Sequence, residues 1–578
     1  MNMYGKFKTT LHSFTLKKEK LLPLLLVLIV STYLLFYIWP TNINGDGAMH
    51  AFLTRKMVEN GGLLDHIPFA VDRIDNGNLI YEPIPYPETV YVVWSVFYVL
   101  GGEQLLKLSC IFFASLTALC VFLLLRDVDR YVGFFAGFCV IVLNTLRFIM
   151  TPLIEQALLS AIFFTILFYY RSLKTQKLRY FLLTGVFLGL AVGVKQQGLL
   201  LFGTIFLHGL VTFGHRMIKN KKLRDIAPLL IILTFSILVS AFPIYEQSTR
   251  NGTIAPSGSF DFLPFYPAIE RFFQPKVPVD YEADANLSKI VATEEIRKGM
   301  TLDNVAQQYL LFPVLYAESI KHYPIGMSLL FSSLALPLYF CGGLFLAKKD
   351  KQLFLLLVSV FLIEFLSTVF FRAAVFKYNV LGLSIIAIFL VTGVYEIKNL
   401  FQGLPKGRTP NFLSKKLSRI FVFFVLVILI MGNLIFVFPN WMDEGRQTDA
   451  YLRAYSELKM FIEENSSIPP DAMFLAPQGN FMFICERDCF WISSYGGAMV
   501  PTIFETDNQT KALYWLQQYN ISYIVIEPAQ TQRKGLYDYI PAHGLLDYID
   551  NSDHFDKMFW YPSEEELLAL YKVVYVGS

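Results

Sequence analysis

The chain has 578 residues, of which 54% are hydrophobic and only 16% charged. Soluble domains carry about a quarter charged residues, so this composition excludes an ordinary soluble enzyme and points to a protein whose main solvent is lipid. The net charge of +3 is small, so its placement tells more than its sum, and nothing calls for a nucleic-acid partner.

The N-terminal tail carries Lys6, Lys8, Lys17, Lys18 and Lys20. The apolar run from Leu21 to Trp39 is too long for a signal-peptide core and no small-residue cleavage site follows it, so it reads as a retained first helix. A spanning helix needs about 20 mostly apolar residues. Candidate spans are 21–40, 103–125, 131–150, 156–170, 180–194, 197–213, 226–244, 325–346, 352–371, 380–395 and 420–438. Lys and Arg concentrate in cytoplasmic connections. With the basic tail inside, alternation puts Arg126 and Arg130, Arg171 to Arg179, Arg216 to Arg224, Lys348 to Lys351, and Lys398 to Arg419 inside as well. The run Val90 to Leu100 is too short to span, and counting it would move two of these basic loops outside. It reads as an interfacial or re-entrant helix. The expected fold class is therefore a polytopic α-helical membrane protein of about eleven spans, with its N-terminus cytoplasmic.

Three larger segments then lie outside: 41–102, 245–324 and 440–578. The sequons at Asn251, Asn286, Asn465, Asn508 and Asn520 all fall in them. Residues 1–439 would form the membrane domain and 440–578 an extracytoplasmic domain. In the latter, Arg446 to Glu464 has helical spacing, Asp471 to Ala476 reads as a strand, Gln509 to Gln518 as a helix, and Ile521 to Ile526 as a buried strand. Strands alternating with helices predict an α/β layer with a parallel sheet. Cys110, Cys120, Cys139 and Cys341 fall in apolar runs and read as small buried hydrophobes. Cys485 and Cys489 form a C-x3-C that fits a local disulfide or free thiols better than a metal site.

Polar residues gather on the outer side. Asp46 sits where the first helix leaves the bilayer, and His50 follows one helical turn later. Asp46 reads either as a helix N-cap or as a general base, or as a metal ligand with His50. An amphipathic face of Met49, Phe52, Leu53, Lys56 and Met57 is expected to lie against the membrane. Glu155 opens the fourth span after Thr151-Pro152-Leu153-Ile154, and Lys195 lies in the outer turn Gly193-Val194-Lys195-Gln196-Gln197-Gly198. Arg372 follows the ninth span and Lys377 opens the tenth. Snorkelling is the ordinary use of such basic residues, although Lys and Arg are less expected outside.

Asp46, the helix ending Glu59-Asn60-Gly61, the stretch Tyr81-Glu82-Pro83-Ile84-Pro85-Tyr86-Pro87, and Trp94 resemble the first outer loop of the GT-C membrane glycosyltransferases. The resemblance is to the protein O-mannosyltransferases and aminoarabinose transferases in particular. The stretch Thr151 to Gln156 resembles that family's second acidic motif, Gly193 to Leu199 its Lys-Gly turn, and Arg372 to Tyr378 its basic-Tyr motif. Gly47 stands where the family often has a second acidic residue, and Pro85-Tyr86-Pro87 breaks its usual proline pair.

The resemblance implies a glycosyltransferase whose donor is a sugar on a polyprenyl phosphate and whose acceptor is a protein, lipid or glycan at the outer membrane face. Asp46 would be the catalytic base, and Glu155 would orient the acceptor or hold a metal. Lys195, Arg372 and Lys377 would bind the donor phosphate, and His50 and Glu82 are candidates for acceptor or metal contact. No organic cofactor is implied; a divalent metal is compatible with the acidic residues. The competing expectation is a multi-pass transporter or lipid-carrier flippase without transferase chemistry.

Overall fold

The computed structural model describes residues 18–38, 43, 46–75, 77–82, 84, 89–144, 152–195, 197–251, 336–370, 380–403, 450–476, 480–491, 508–526, 549–550, 552–561 and 568–575. Its first part is a helical bundle: α1 (Lys18–Ile38), α2 (Asp46–Asn60), α3 (Thr89–Leu125), α4 (Arg130–Leu143), α5 (Ile154–Thr175), α6 (Leu178–Val194), α7 (Gln197–Asn220) and α8 (Ala227–Asn251). It continues with α9 (Leu336–Lys349), α10 (Lys351–Phe370) and α11 (Val380–Gly403). Among the described residues, five helices are long and apolar enough to cross a membrane: Leu21–Ile38, Thr89–Leu125, Ile154–Thr175, Gly198–Asn220 and Leu223–Glu246. The candidate spans from 21–40 to 380–395 each coincide, in their described part, with a helix. The span expected at 420–438 and most of the loop 245–324 lie outside the described residues.

The chain turns sharply inside α3, at Gly101 (φ −166°) and Gly102 (φ +61°, ψ −154°). The conformation at Gly102 belongs to a region that essentially only glycine occupies. The kink cuts off residues 89–100, about 18 Å of helix, too short to cross a core of about 30 Å. Val92, Val96, Val99 and Leu100 are exposed on this piece. Replacing Gly102 with Ala should cost about 1–3 kcal/mol in backbone strain. It should lower the unfolding temperature in detergent, whereas alanine at Gly62, where an added Cβ meets open space, should not.

Helix contacts in the bundle rest on small residues. Gly185, Gly189 and Gly193 form a stripe on α6 facing α8. A Cβ at Gly189 would stand 2.6 Å from the Ser236 carbonyl oxygen, and one at Gly185 2.7 Å from that of Ile232. Such stripes let backbones approach closely, as in lipid-embedded helix pairs. Hydroxyls add polar ties: the Thr117 and Ser160 oxygens are 2.9 Å apart, and Ser160 donates to the Phe113 carbonyl at 2.8 Å.

At one end of the bundle the connections are cross-linked by charge. Arg171 pairs with Asp127 at 2.8 Å, Lys174 pairs with Asp350 at 2.6 Å, and Tyr395 donates to Asp129 at 2.7 Å. Asp129 also caps α4, accepting from the backbone N–H groups of Tyr131 and Val132. These are the connections that the positive charge groups on a single side.

The C-terminal region contains α12 (450–464), α13 (Asn480–Cys485) and α14 (Gln509–Gln518). With them go β3 (Met473–Ala476), β4 (Cys489–Trp491), β5 (Ile521–Ile526), β6 (Phe555–Tyr561) and β7 (Leu568–Val573). They form a five-stranded sheet in the order β4-β3-β5-β7-β6. The expectation of a parallel sheet needs correction. The strand β3 runs parallel to β4 and β5, but β5 with β7 and β6 with β7 are antiparallel. The connection 562–567 between β6 and β7 is too short for the crossover that parallel neighbours need.

A hairpin of β1 (Val71–Asp75) and β2 (Asn78–Tyr81) lies against this region, with Ala70 bridged to Cys489 and Cys489 N–H donating to the Phe69 carbonyl at 3.0 Å. The apolar face of α2 is corrected too. Phe52, Leu53 and Met57 are buried, and the Phe52 ring lies 5.3 Å from that of Phe483 on α13. Protein, not lipid, covers that face, because α13 folds back onto it.

Candidate functional site

The helix α2 opens at Asp46, only a short connection after α1 ends at Ile38. A helix N-terminus presents unsatisfied backbone N–H groups and favours an acidic residue. One turn on, His50 is buried, and its Nδ1 is 2.9 Å from the Tyr91 hydroxyl. Thr54 donates to the His50 carbonyl at 2.7 Å, and the His50 ring lies 5.4 Å from that of Trp94. Tyr91 and Trp94 belong to the short helix before the Gly101-Gly102 kink and are fully buried. The Trp94 indole N–H has no hydrogen-bond partner among the described residues. His50 thus ties α2 to the bundle.

Glu82 is buried at the end of the hairpin; its backbone N–H donates to Ala70 and its carbonyl accepts from Ile67, both at 2.8 Å.

The structure brings together two residues that were 40 apart in the chain. Lys195 Nζ stands 2.5 Å from Glu155 Oε1, and both side chains are under one-tenth exposed. Their meeting follows from the fold. The helices α5 and α6 form an antiparallel hairpin turning at Gln176 and Lys177, so the first turn of α5 and the C-cap of α6 share one end. Glu155 lies in that first turn and Lys195 is that C-cap. Each charge also suits the helix terminus it occupies.

The same end of the bundle leads to α2. A Cβ at Gly193 would meet the Thr89 hydroxyl at 3.0 Å, and Thr89 opens the helix that carries Tyr91 and Trp94. Glu155, Lys195, His50 and the Asp46 helix are therefore linked through packed neighbours. Arg372 and Lys377 lie outside the described residues. Among the described residues, no group of three or more His, Cys, Asp and Glu side chains is arranged to hold a metal ion.

A charged cluster at the other end of α2 escapes a reading by motif. Glu486, in the turn between α13 and β4, accepts from Arg55 at 2.6 Å and from Lys56 at 2.8 Å. Glu59 pairs with Lys56 at 3.0 Å. Burial disfavours the Lys56 charge, but Glu486 and Glu59 outweigh it and hold the ammonium above the ordinary lysine value. Tyr81 donates to Asp488 at 3.3 Å, and burial raises the Asp488 carboxyl, with that hydroxyl partly offsetting it. The only sequence signal was an Arg-Lys pair in a segment that the charge pattern is expected to place outside, where basic residues are less frequent.

Cys485 and Cys489 are free and buried. Burial pushes both thiols up, which makes them inert.

Residues 85–243 match the family model of dolichyl-phosphate-mannose-protein mannosyltransferases. That segment contains Glu155 and Lys195 and begins beyond Asp46. No curated protein matches the chain by sequence. Solved structures match it by fold. One is the archaeal oligosaccharyltransferase AglB from Archaeoglobus fulgidus, in complex with an inhibitory peptide and a dolichol-phosphate. It has a TM-score of 0.55 at 13% identity, with 94% of this chain and 73% of that chain covered. The Archaeoglobus fulgidus oligosaccharyltransferase tethered to an acceptor peptide gives 0.54 at 14% identity, with 87% and 69% covered. ArnT from Cupriavidus metallidurans in the apo state gives 0.50 at 11% identity, with 94% and 97% covered.

Proposed function

We propose that this protein, a multi-pass membrane protein with the fold of the GT-C glycosyltransferases, transfers a sugar from a polyprenyl-phosphate donor to an acceptor hydroxyl at the outer membrane face. The observation that carries the reading is the buried Glu155–Lys195 pair, inside the mannosyltransferase-like segment and at the bundle end that leads to the Asp46 helix. The dolichol-phosphate bound to the archaeal oligosaccharyltransferase fits a prenyl-phosphate donor.

In this reading Asp46 takes the proton from the acceptor hydroxyl as its oxygen attacks the anomeric carbon. The bond from that carbon to the phosphate oxygen breaks, and the polyprenyl phosphate leaves with its electron pair. Lys195, with Arg372 and Lys377, stabilises the charge that grows on the leaving group. Glu155 holds the Lys195 ammonium at the site and orients the acceptor, and His50 and Glu82 line the loop that would receive it. A protein, lipid or glycan would serve as acceptor. The bundle would have eleven spans with a cytoplasmic N-terminus. Residues 440–578 would form an extracytoplasmic α/β domain, a placement supported by their packing on the loop that follows the first span.

A transporter or flippase is disfavoured because the described pair Glu155 and Lys195 lies at one end of the bundle, not at a midplane site formed by broken helices. The deciding measurement is sugar release from a panel of radiolabelled polyprenyl-phosphate monosaccharides by the purified protein, in an extract supplying native acceptors. Turnover of one donor is expected. Donor binding without turnover for the whole panel would return the chain to the carrier reading.

A further inference from the structure

We propose that Glu486 is a positioning residue that sets the angle of the Asp46 helix on the bundle, which makes the C-terminal region part of the catalytic machinery. The proposal rests on Asp46 being the base. Three features of the structure lead to it.

Arg55 and Lys56 are adjacent cations on α2, and Glu486 meets both, one with each carboxylate oxygen. The backbone at Glu486 is in the left-handed region, at φ +53°. Glycine or asparagine takes that conformation more readily, yet a carboxylate stands there. The turn is also seated from both sides: Arg55 reaches the Phe483 carbonyl at 3.4 Å, Phe483 faces Phe52, and Cys489 is bonded to Phe69.

A helix is stiff, so fixing two places along it fixes its first residue. His50 pins α2 one turn from Asp46 through Tyr91. Arg55 and Lys56 pin it two turns and more beyond Asp46 through Glu486. Misplacing a catalytic group by about 1 Å can cost on the order of 100-fold in rate. Loss of the Glu486 carboxylate should therefore appear in turnover rather than in donor affinity.

The test uses Glu486→Gln and Glu486→Gly in the full chain. The second removes the carboxylate while relieving the left-handed backbone, which offsets part of the stability lost with the two ion pairs. Both should lose roughly 10- to 100-fold in kcat, with KM for the donor within about twofold. Amide hydrogen exchange should rise over residues 47–60 and stay unchanged in α5 and α6. Parental kcat in either variant overturns the proposal, even where exchange rises, because the contact is then structural only. Parental exchange over 47–60 overturns it as well. Failure of the underlying reading looks different: Asp46→Asn would transfer sugar at the parental rate.

Discussion

Replacing Lys195 with Met should be among the most damaging single changes in the protein. It strands the Glu155 carboxylate without its ammonium at a site under one-tenth exposed. Breaking a buried ion pair from one side typically costs about 3–5 kcal/mol, because the remaining charge stays desolvated. The unfolding temperature in detergent should fall accordingly, and Glu155→Gln should show a smaller fall, since an ammonium on a long stem can reach towards the interface. The double variant Glu155→Gln with Lys195→Met removes both charges and should recover much of the lost stability. Its sugar transfer is the informative reading. If the pair only holds α5 to α6, transfer returns with stability. If Lys195 meets the donor phosphate, the stable double variant still transfers at least about 100-fold more slowly, roughly 2.7 kcal/mol of transition-state stabilisation.

Asp46→Asn should abolish most transfer while leaving the fold alone. General base catalysis contributes about 10²–10⁴-fold, and the amide cannot take a proton. Asparagine serves a helix N-terminus about as well as aspartate, so the variant separates the two roles of Asp46. If capping were its whole role, initial rates with a saturating donor would match the parent. An unchanged unfolding temperature with a rate down by a factor of a hundred or more assigns the base.

The helices were legible because lipid demands long apolar runs, and the basic connections order them. The Val90–Leu100 run separated from its neighbour on its length and on the basic loops that counting it would have moved outside, and Gly101-Gly102 is the physical break. In the C-terminal region the helix Gln509–Gln518 and the strand Ile521–Ile526 have the bounds expected from periodicity. The strand β4 is only Cys489–Trp491, too short to show a period, and β6 alternates poorly because it is an edge strand. At the site, Glu155 and Lys195 were each visible as polar residues at helix ends. Their pairing was not, since it depends on how α5 and α6 fold back on one another. Glu486 carried no local signal at all, because its partners come from the other end of the chain.

That last contact has a consequence for how the protein is made. Arg55 and Glu486 are separated by 431 positions. Chains are synthesised at about 5–20 residues per second, so roughly 20–90 s pass between the emergence of the two partners. For that interval the segment after the first span has reached its compartment while the surface that will hold it does not yet exist. If Asp46 is the base and Glu486 positions it, the nascent protein stays inactive until nearly its whole length has been delivered, and a ribosome that stalls before residue 486 would release a product with a bundle but no aligned base.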